Sequence, residues 1–211
     1  MAFDLEEQEQ IAELKQFWKQ YGTLIVTLAV AALVAFAGMQ GWRYYKQSQS
    51  EQASSLFTKF GEAVRKNDVD EIRTLGKQMI DGFGSTAYGP TVALLLAKTN
   101  YENGDPSGAA QQLQWAIDKA KDEETAELAR LRLASIRLDE KKYDEALKLV
   151  ETKHSAAMET LYADLRGDVM VAQGKSAEAR AAYKTAIEKS SPNSSYRSVV
   201  QIKLDALGSD K

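Results

Sequence analysis

The chain is 211 residues long, carries 27 Lys and Arg against 30 Asp and Glu, and has a net charge of −3. A surface so balanced gives no reason to expect nucleic acid as a partner. With no Cys and a single His, disulfides, thiol catalysis and typical zinc sites are excluded.

Residues 4–20 read as a short amphipathic helix. Asp4 is placed to cap it with Glu7 three residues on, and Ile11, Leu14, Trp18 and Tyr21 form one apolar stripe. That pattern suits a helix lying at a membrane interface. Five acids (Asp4, Glu6, Glu7, Glu9, Glu13) face two bases, Lys15 and Lys19, so this stretch accounts for the whole net charge.

Gly22–Trp42 contains no charged residue. As a helix it would be roughly 31 Å long, the thickness of a bilayer's hydrocarbon core. Trp18 and Tyr21 precede it and Trp42, Tyr44 and Tyr45 close it, as expected of rings at headgroup level. A cleaved signal peptide is the rival reading, with Ala35-Phe36-Ala37 as the cleavage pattern. The acidic, helix-patterned segment in front and the aromatic belt behind favour a retained anchor. A third reading, a buried core helix, would need a large core around it. Lys15 and Lys19 on one side balance Arg43 and Lys46 on the other, so charge counting leaves the orientation tied.

Gln47–Lys66 continues as a helix with Ala53, Leu56, Phe57, Phe60, Ala63 and Val64 on one face, and Asp68–Asp81 as another, ended by Gly82, Gly84 and Ser85. The next hundred residues repeat. Gly104, Lys141 and Gly174 mark turns 37 and 33 residues apart; each has a small residue seven before it (Ala97, Ala134, Gly167) and an alanine five after it (Ala109, Ala146, Ala179). This is the tetratricopeptide layout of helix, tight turn, helix, with a period near 34. The small residues let paired helices approach, and the large residue nine after each turn (Leu113, Val150, Tyr183) is expected to fill the gap under the neighbouring pair. The second unit departs from the pattern at Lys141 and at Lys153, where an alanine is lost. Residues 47–83 read as a degenerate further unit, with Gly61 in the small position and its turn near Asp68. After Pro192, Tyr196, Val199, Val200, Leu204 and Leu207 form a stripe opened by Asn193 or Ser194, as a helix capping the last apolar face requires. The fold class expected is therefore all-α: one N-terminal transmembrane helix, then a tetratricopeptide-like solenoid with a C-terminal capping helix. The domain boundaries are 1–21, 22–42, 43–67, 68–207 and a tail at 208–211.

No catalytic, cofactor or metal site emerges. His154 reads as an exposed linker residue, and Asp164 and Asp168, at i, i+4, read as part of a solvated helix face. An interaction surface is the better fit. The first helix of each pair lines the concave side, which places there Leu94, Lys98 and Tyr101, then Leu131, Ser135 and Leu138, then Leu161, Asp164, Asp168 and Val171. The alternative is that the leucines are inter-repeat core. Trp115 is either an exposed anchor or buried under a neighbouring loop.

The order of parts resembles the YfgM-type ancillary subunits of the bacterial Sec translocon. The resemblance rests on the exit Gly41-Trp42-Arg43-Tyr44-Tyr45, on Tyr88-Gly89, on Leu165-Arg166-Gly167-Asp168, on Ala179–Ile187 and on Val200-Gln201-Ile202-Lys203-Leu204. It implies a cytoplasmic N-terminus and a periplasmic repeat domain at the bacterial inner membrane. It also implies association with SecYEG and with the periplasmic chaperone PpiD, and a chaperone-like role toward translocated clients. No catalytic residue or cofactor is implied. A tetratricopeptide adaptor in envelope assembly or cell-division coordination is the alternative.

Overall fold

The computed structural model describes residues 2–208, with side chains from Gln10 onward. The side chains of the capping pair Asp4 and Glu7, and residues 209–211 of the tail, lie outside what is described. The helices are α1 (Ala2–Lys66), α2 (Val69–Phe83), α3 (Tyr88–Glu102), α4 (Pro106–Lys119), α5 (Glu123–Asp139), α6 (Tyr143–Val150), α7 (Glu159–Ala172), α8 (Ser176–Lys189) and α9 (Ser195–Ala206). No strand occurs among the described residues.

The chain divides into two compact units, Met1–Glu51 and Gln52–Lys211. The sequence reads an interfacial helix leading into the span and a helix from Gln47 that can run on from it; α1 takes in all three as one helix. No Pro lies in this stretch, and single glycines such as Gly22, Gly38 and Gly41 each cost about 1 kcal/mol without ending a helix. Gly22 and Trp42 thus mark changes of side-chain chemistry, not of backbone. In the first unit the apolar side chains point outward: Leu24, Leu28, Leu33, Val34 and Phe36 are all more than half exposed. Only 6% of the most apolar window is buried, which rules out a core helix. This helix is long and apolar enough to cross a membrane.

The second unit is a row of helix pairs. Each pair's first helix ends in a left-handed residue: Asn67 (φ 56°), Gly104 (77°), Lys141 (61°) and Gly174 (74°), spaced 37, 37 and 33 residues. At all four turns the next residue's N–H reaches back to the carbonyl five before it: Asp68 to Ala63, Asp105 to Asn100, Lys142 to Arg137 and Lys175 to Met170. The left-handed residue itself donates to the carbonyl three before it. Together these are the two bonds of a Schellman motif, which satisfies carbonyls a helix end would otherwise orphan. The pair around Asn67 therefore turns like the three predicted units. Lys141 adopts the same geometry without glycine's freedom.

Two of the second helices, α2 and α4, start at an aspartate cap, whereas α6 and α8 start after Lys142 and Lys175 with no side-chain cap. Asp68 accepts from the Glu71 N–H at 3.0 Å and Asp105 from the Gly108 N–H at 2.8 Å, with Pro106 at the first helical position. α2 runs past Gly82 to Phe83, two residues beyond its predicted end. α6 is only 8 residues long, so the missing alanine at Lys153 falls outside the helix.

Four apolar clusters stack along the row, each joining one pair to the next. Ala53, Phe60, Ile72 and Met79 meet Val92 and Leu96; Ala97 and Leu113 meet Leu133 and Ile136; Ala134 and Val150 meet Tyr162 and Leu165; Ala163, Tyr183 and Ile187 meet Val200. The small-to-large fit is close. A Cβ built on Gly167 would lie 2.3 Å from the Tyr183 ring, and one on Gly76 2.6 Å from Leu96. Tyr183, nine after its turn, therefore fills the space over Gly167 of its own pair rather than under a neighbour. Helix α9 packs on α8 through Val200, Tyr196, Leu204 and Leu207, with Ser194 as its cap. Val199 turns outward, contrary to the predicted stripe. Gly208 is again left-handed (φ 74°), 34 residues after Gly174, so the capping helix occupies the place of a first helix in the next unit.

Candidate partner-binding surface

Three of the predicted groove residues come together. Lys98 and Tyr101 of α3 and Ser135 of α5 line a cleft of about 350 Å³ between these helices. Its floor is apolar and buried: Ala97, Leu113 and Ile136. Glu102, Arg132 and Asp139 complete the rim. The Tyr101 hydroxyl donates a short hydrogen bond to Asp139, tying α3 to α5. That bond, then burial and the carboxylate's charge, raise the Tyr101 pKa above its ordinary value, so the donor persists through the neutral range. Arg132 donates to the Leu94 carbonyl at 3.4 Å.

The other predicted groove residues are placed differently. Leu94 is buried in the α3–α5 core, while Leu131 and Leu138 pack against the α5–α7 cluster and Leu161 is half-buried. Val171 is exposed at the end of α7. Asp164 is buried and Asp168 partly so, which corrects the solvated-face reading. Lys203 of α9 sits between them, 2.9 Å from both Asp164 oxygens and 2.7 Å from Asp168. Tyr196 donates to Asp164 at 2.5 Å and Tyr183 to Asp168 at 2.8 Å. Burial, reinforced by these carboxylates, raises the pKa of both tyrosines. Burial alone would lower Lys203, but its bonds to Asp168 and Asp164 outweigh that and leave it raised. The two aspartates thus fasten the capping helix.

His154 is in a linker as expected, but not exposed. Its ring stacks on Tyr162 at 4.0 Å between centroids, and its nitrogens contact the Thr152 carbonyl (2.8 Å) and Glu159 (3.0 Å). Beside it lies Glu127, fully buried and overlooked in the sequence. It accepts from the Ser155 N–H at 2.5 Å and the Ser155 hydroxyl at 2.7 Å, while Tyr162 donates to its carbonyl at 2.8 Å. The linker after α6 is therefore pinned back onto α5. Trp115 takes the loop-burial alternative: a Cβ on Gly84 would lie 2.8 Å from its indole. Among the described residues no group of three His, Asp or Glu could hold a metal ion.

In the first unit Trp18, Tyr21, Trp42, Tyr44 and Tyr45 are all exposed. Lys46 lies over the Trp42 ring at 5.4 Å. Basic and aromatic groups so paired suit an interface where one end is apolar and the other wet.

The family model described as a tetratricopeptide repeat-like domain matches residues 15–209. The ancillary SecYEG translocon subunit of Neisseria gonorrhoeae is 31% identical over 208 residues, 98% of this chain and 100% of that protein. The chain belongs to the YfgM-type family of ancillary SecYEG translocon subunits. The Haemophilus influenzae member is 28% identical over 193 residues (90% and 93% of the two chains), and the Escherichia coli member 28% over 204 (95% and 96%). The likeness therefore takes in the apolar helix as well as the repeats.

Proposed function

We propose that this chain is a single-pass inner-membrane protein whose helical-repeat domain binds other proteins at the Sec translocon. Residues 1–21 lie in the cytoplasm, 22–42 cross the bilayer, 43–67 lead out, and 68–207 work in the periplasm. There the domain assists translocated proteins in a chaperone-like way, together with a PpiD-like chaperone. The observation that carries this reading is the near full-length likeness to proteins named ancillary SecYEG translocon subunits. The exposed apolar helix supports the anchor, and a stacked row of helix pairs supports protein binding, because solenoids present extended surfaces rather than reaction sites. An enzymatic role has no support from any constellation in the repeats.

Copurification tests this. The full chain, extracted from its own membranes in mild detergent, is expected to bring SecY and a periplasmic chaperone with it. Their absence, with envelope-assembly or division proteins present instead, would refute the reading. A reporter fused after Lys211 is expected to be active only when it folds outside the cytoplasm; cytoplasmic activity would overturn the orientation.

A further inference from the structure

Helix α1 runs through Gly22 without a break, and the Trp18 ring lies over that glycine: a Cβ built there would stand 3.1 Å from the indole. With no Pro in the stretch, the helix ahead of the span continues along it instead of turning to lie flat on the bilayer. Depth then follows from the rise per residue. With the hydrocarbon edge at Gly22, headgroups take up about the next 5–8 Å. Trp18 lies within that layer, at about 6 Å. Leu14 and Ile11 lie about 12 and 16 Å out, past the headgroups. No described part of the chain covers them: they are 67% and 52% exposed.

The charges divide along the same axis. Both bases, Lys15 and Lys19, are nearer the bilayer, and all five acids, from Glu13 back to Asp4, are farther out. Glu6, Glu9 and Glu13 recur at helical spacing and lead to Phe17 at the edge of the apolar stripe. Lipid is a poor occupant of such a surface, because the cytoplasmic leaflet is itself negative. A second copy is no better, since it sets five acids against five. The complementary surface is rich in Lys and Arg and stands just outside the headgroups. By the positive-inside rule, the cytoplasmic loops of multi-spanning membrane proteins are such a surface.

We propose that residues 4–17 of α1 are a docking helix for a Lys/Arg-rich cytoplasmic loop of a neighbouring multi-spanning membrane protein. Ile11, Leu14 and Phe17 pack on the loop's apolar side chains. Glu6, Glu9 and Glu13 pair with its bases, while Trp18, Lys15 and Lys19 stay with the lipid. This rests on the cytoplasmic placement of the N-terminus proposed above, and it names the docking surface and the charge of its partner.

The test places a photoreactive residue at Leu14 of the full chain in intact membranes. The crosslinked peptide is expected to map to a Lys/Arg-rich cytoplasmic loop of a multi-spanning protein. A carbodiimide, which condenses a carboxylate with an amine with loss of water, is expected to join Glu13 to a Lys of the same loop. Combining Glu6→Lys, Glu9→Lys and Glu13→Lys leaves the orientation in place, because added bases favour the cytoplasmic side. It is expected to cut the protein crosslink about tenfold and to raise crosslinks to lipid, with carbonate extraction unchanged. The corresponding triple change to Gln, which adds no base, is expected to cut it about threefold. Crosslinks from the unaltered chain to lipid alone or to a second copy would overturn the proposal, as would a protein crosslink unmoved by either triple change. Recovery of SecY is scored separately. If SecY is recovered while Leu14 meets only lipid, the docking helix alone fails. If Leu14 meets a basic loop of another membrane protein and SecY is absent, the docking helix stands and the translocon reading fails.

Discussion

Replacing Lys203 with Met asks whether Asp164 and Asp168 belong to an open groove or to a lock on the capping helix. In the protein the Lys203 ammonium bridges both carboxylates, and the Asp164 side chain is 6% exposed against 28% for Asp168. Removing one partner of a fully buried ion pair costs about 3–5 kcal/mol, because the other charge is left without compensation. Two features reduce this. Asp168 and Lys203 are partly solvated, and Tyr196 and Tyr183 keep their hydrogen bonds to the two aspartates. A cost of about 2–3 kcal/mol follows. It falls on α9 first, since a helix of 12 residues has no stability of its own. Amide hydrogen exchange on the full chain in detergent reads this directly: protection across Ser195–Ala206 is expected to drop roughly 30- to 150-fold while α3–α6 keep theirs. Asp164→Asn in the Lys203→Met background should recover part of the loss, because it removes the stranded charge. Unchanged protection in α9, or an equal loss throughout the repeats, would refute the lock.

The raised pKa values of Lys203, Tyr183 and Tyr196 mean that their contribution is complete below the unfolded values near 10 and is lost as pH rises through the folded ones. Absorbance at 295 nm should therefore show these two of the nine tyrosines ionising after the others, together with release of α9; ionisation of all nine in one step would contradict this. Lys141→Gly should raise stability by about 0.5–1 kcal/mol in urea titration, since glycine takes φ 61° without strain, and a loss would mean that turn is not left-handed. Gly167→Ala should cost about 2 kcal/mol against the Tyr183 ring. The same change in a Tyr183→Ala background should cost nothing, and an equal cost there would remove the ring as the cause. Leu33→Arg should disfavour membrane insertion by about 2.5–3.5 kcal/mol, read as an increased carbonate-extractable fraction; unchanged extraction would argue against a spanning segment.

The repeat was legible because its mechanics are local. Glycines at 104 and 174 and small residues seven before each turn follow from helix crossing alone, and even Lys141 was placed correctly by period, though its residue type argued against a turn. The helix pair at Asn67 was harder to see, because Phe60 stands where the other units have a small side chain and Gly76 stands where they have a large one. What the sequence hid depends on distant partners. Asp164 and Asp168 look solvated until Lys203, more than thirty residues on, folds over them. Glu127 looks like any helical glutamate until the linker after the short α6 returns Ser155 to it. Arg132 was passed over because the groove was read as one stripe per helix, whereas the cleft takes one wall from each of two helices.

The central claim, a repeat domain held at the Sec translocon by its membrane helix, is tested most directly by site-specific photocrosslinking in intact membranes. A photoreactive residue is placed in turn at Leu28, Leu33 and Phe36 on the outward-facing span and at Ser135 in the cleft. Crosslinks from the span to SecY, SecE or SecG, and from Ser135 to a periplasmic polypeptide, are expected. Span positions that crosslink only to lipid or to unrelated membrane proteins, with Ser135 reaching cytoplasmic partners, would contradict it.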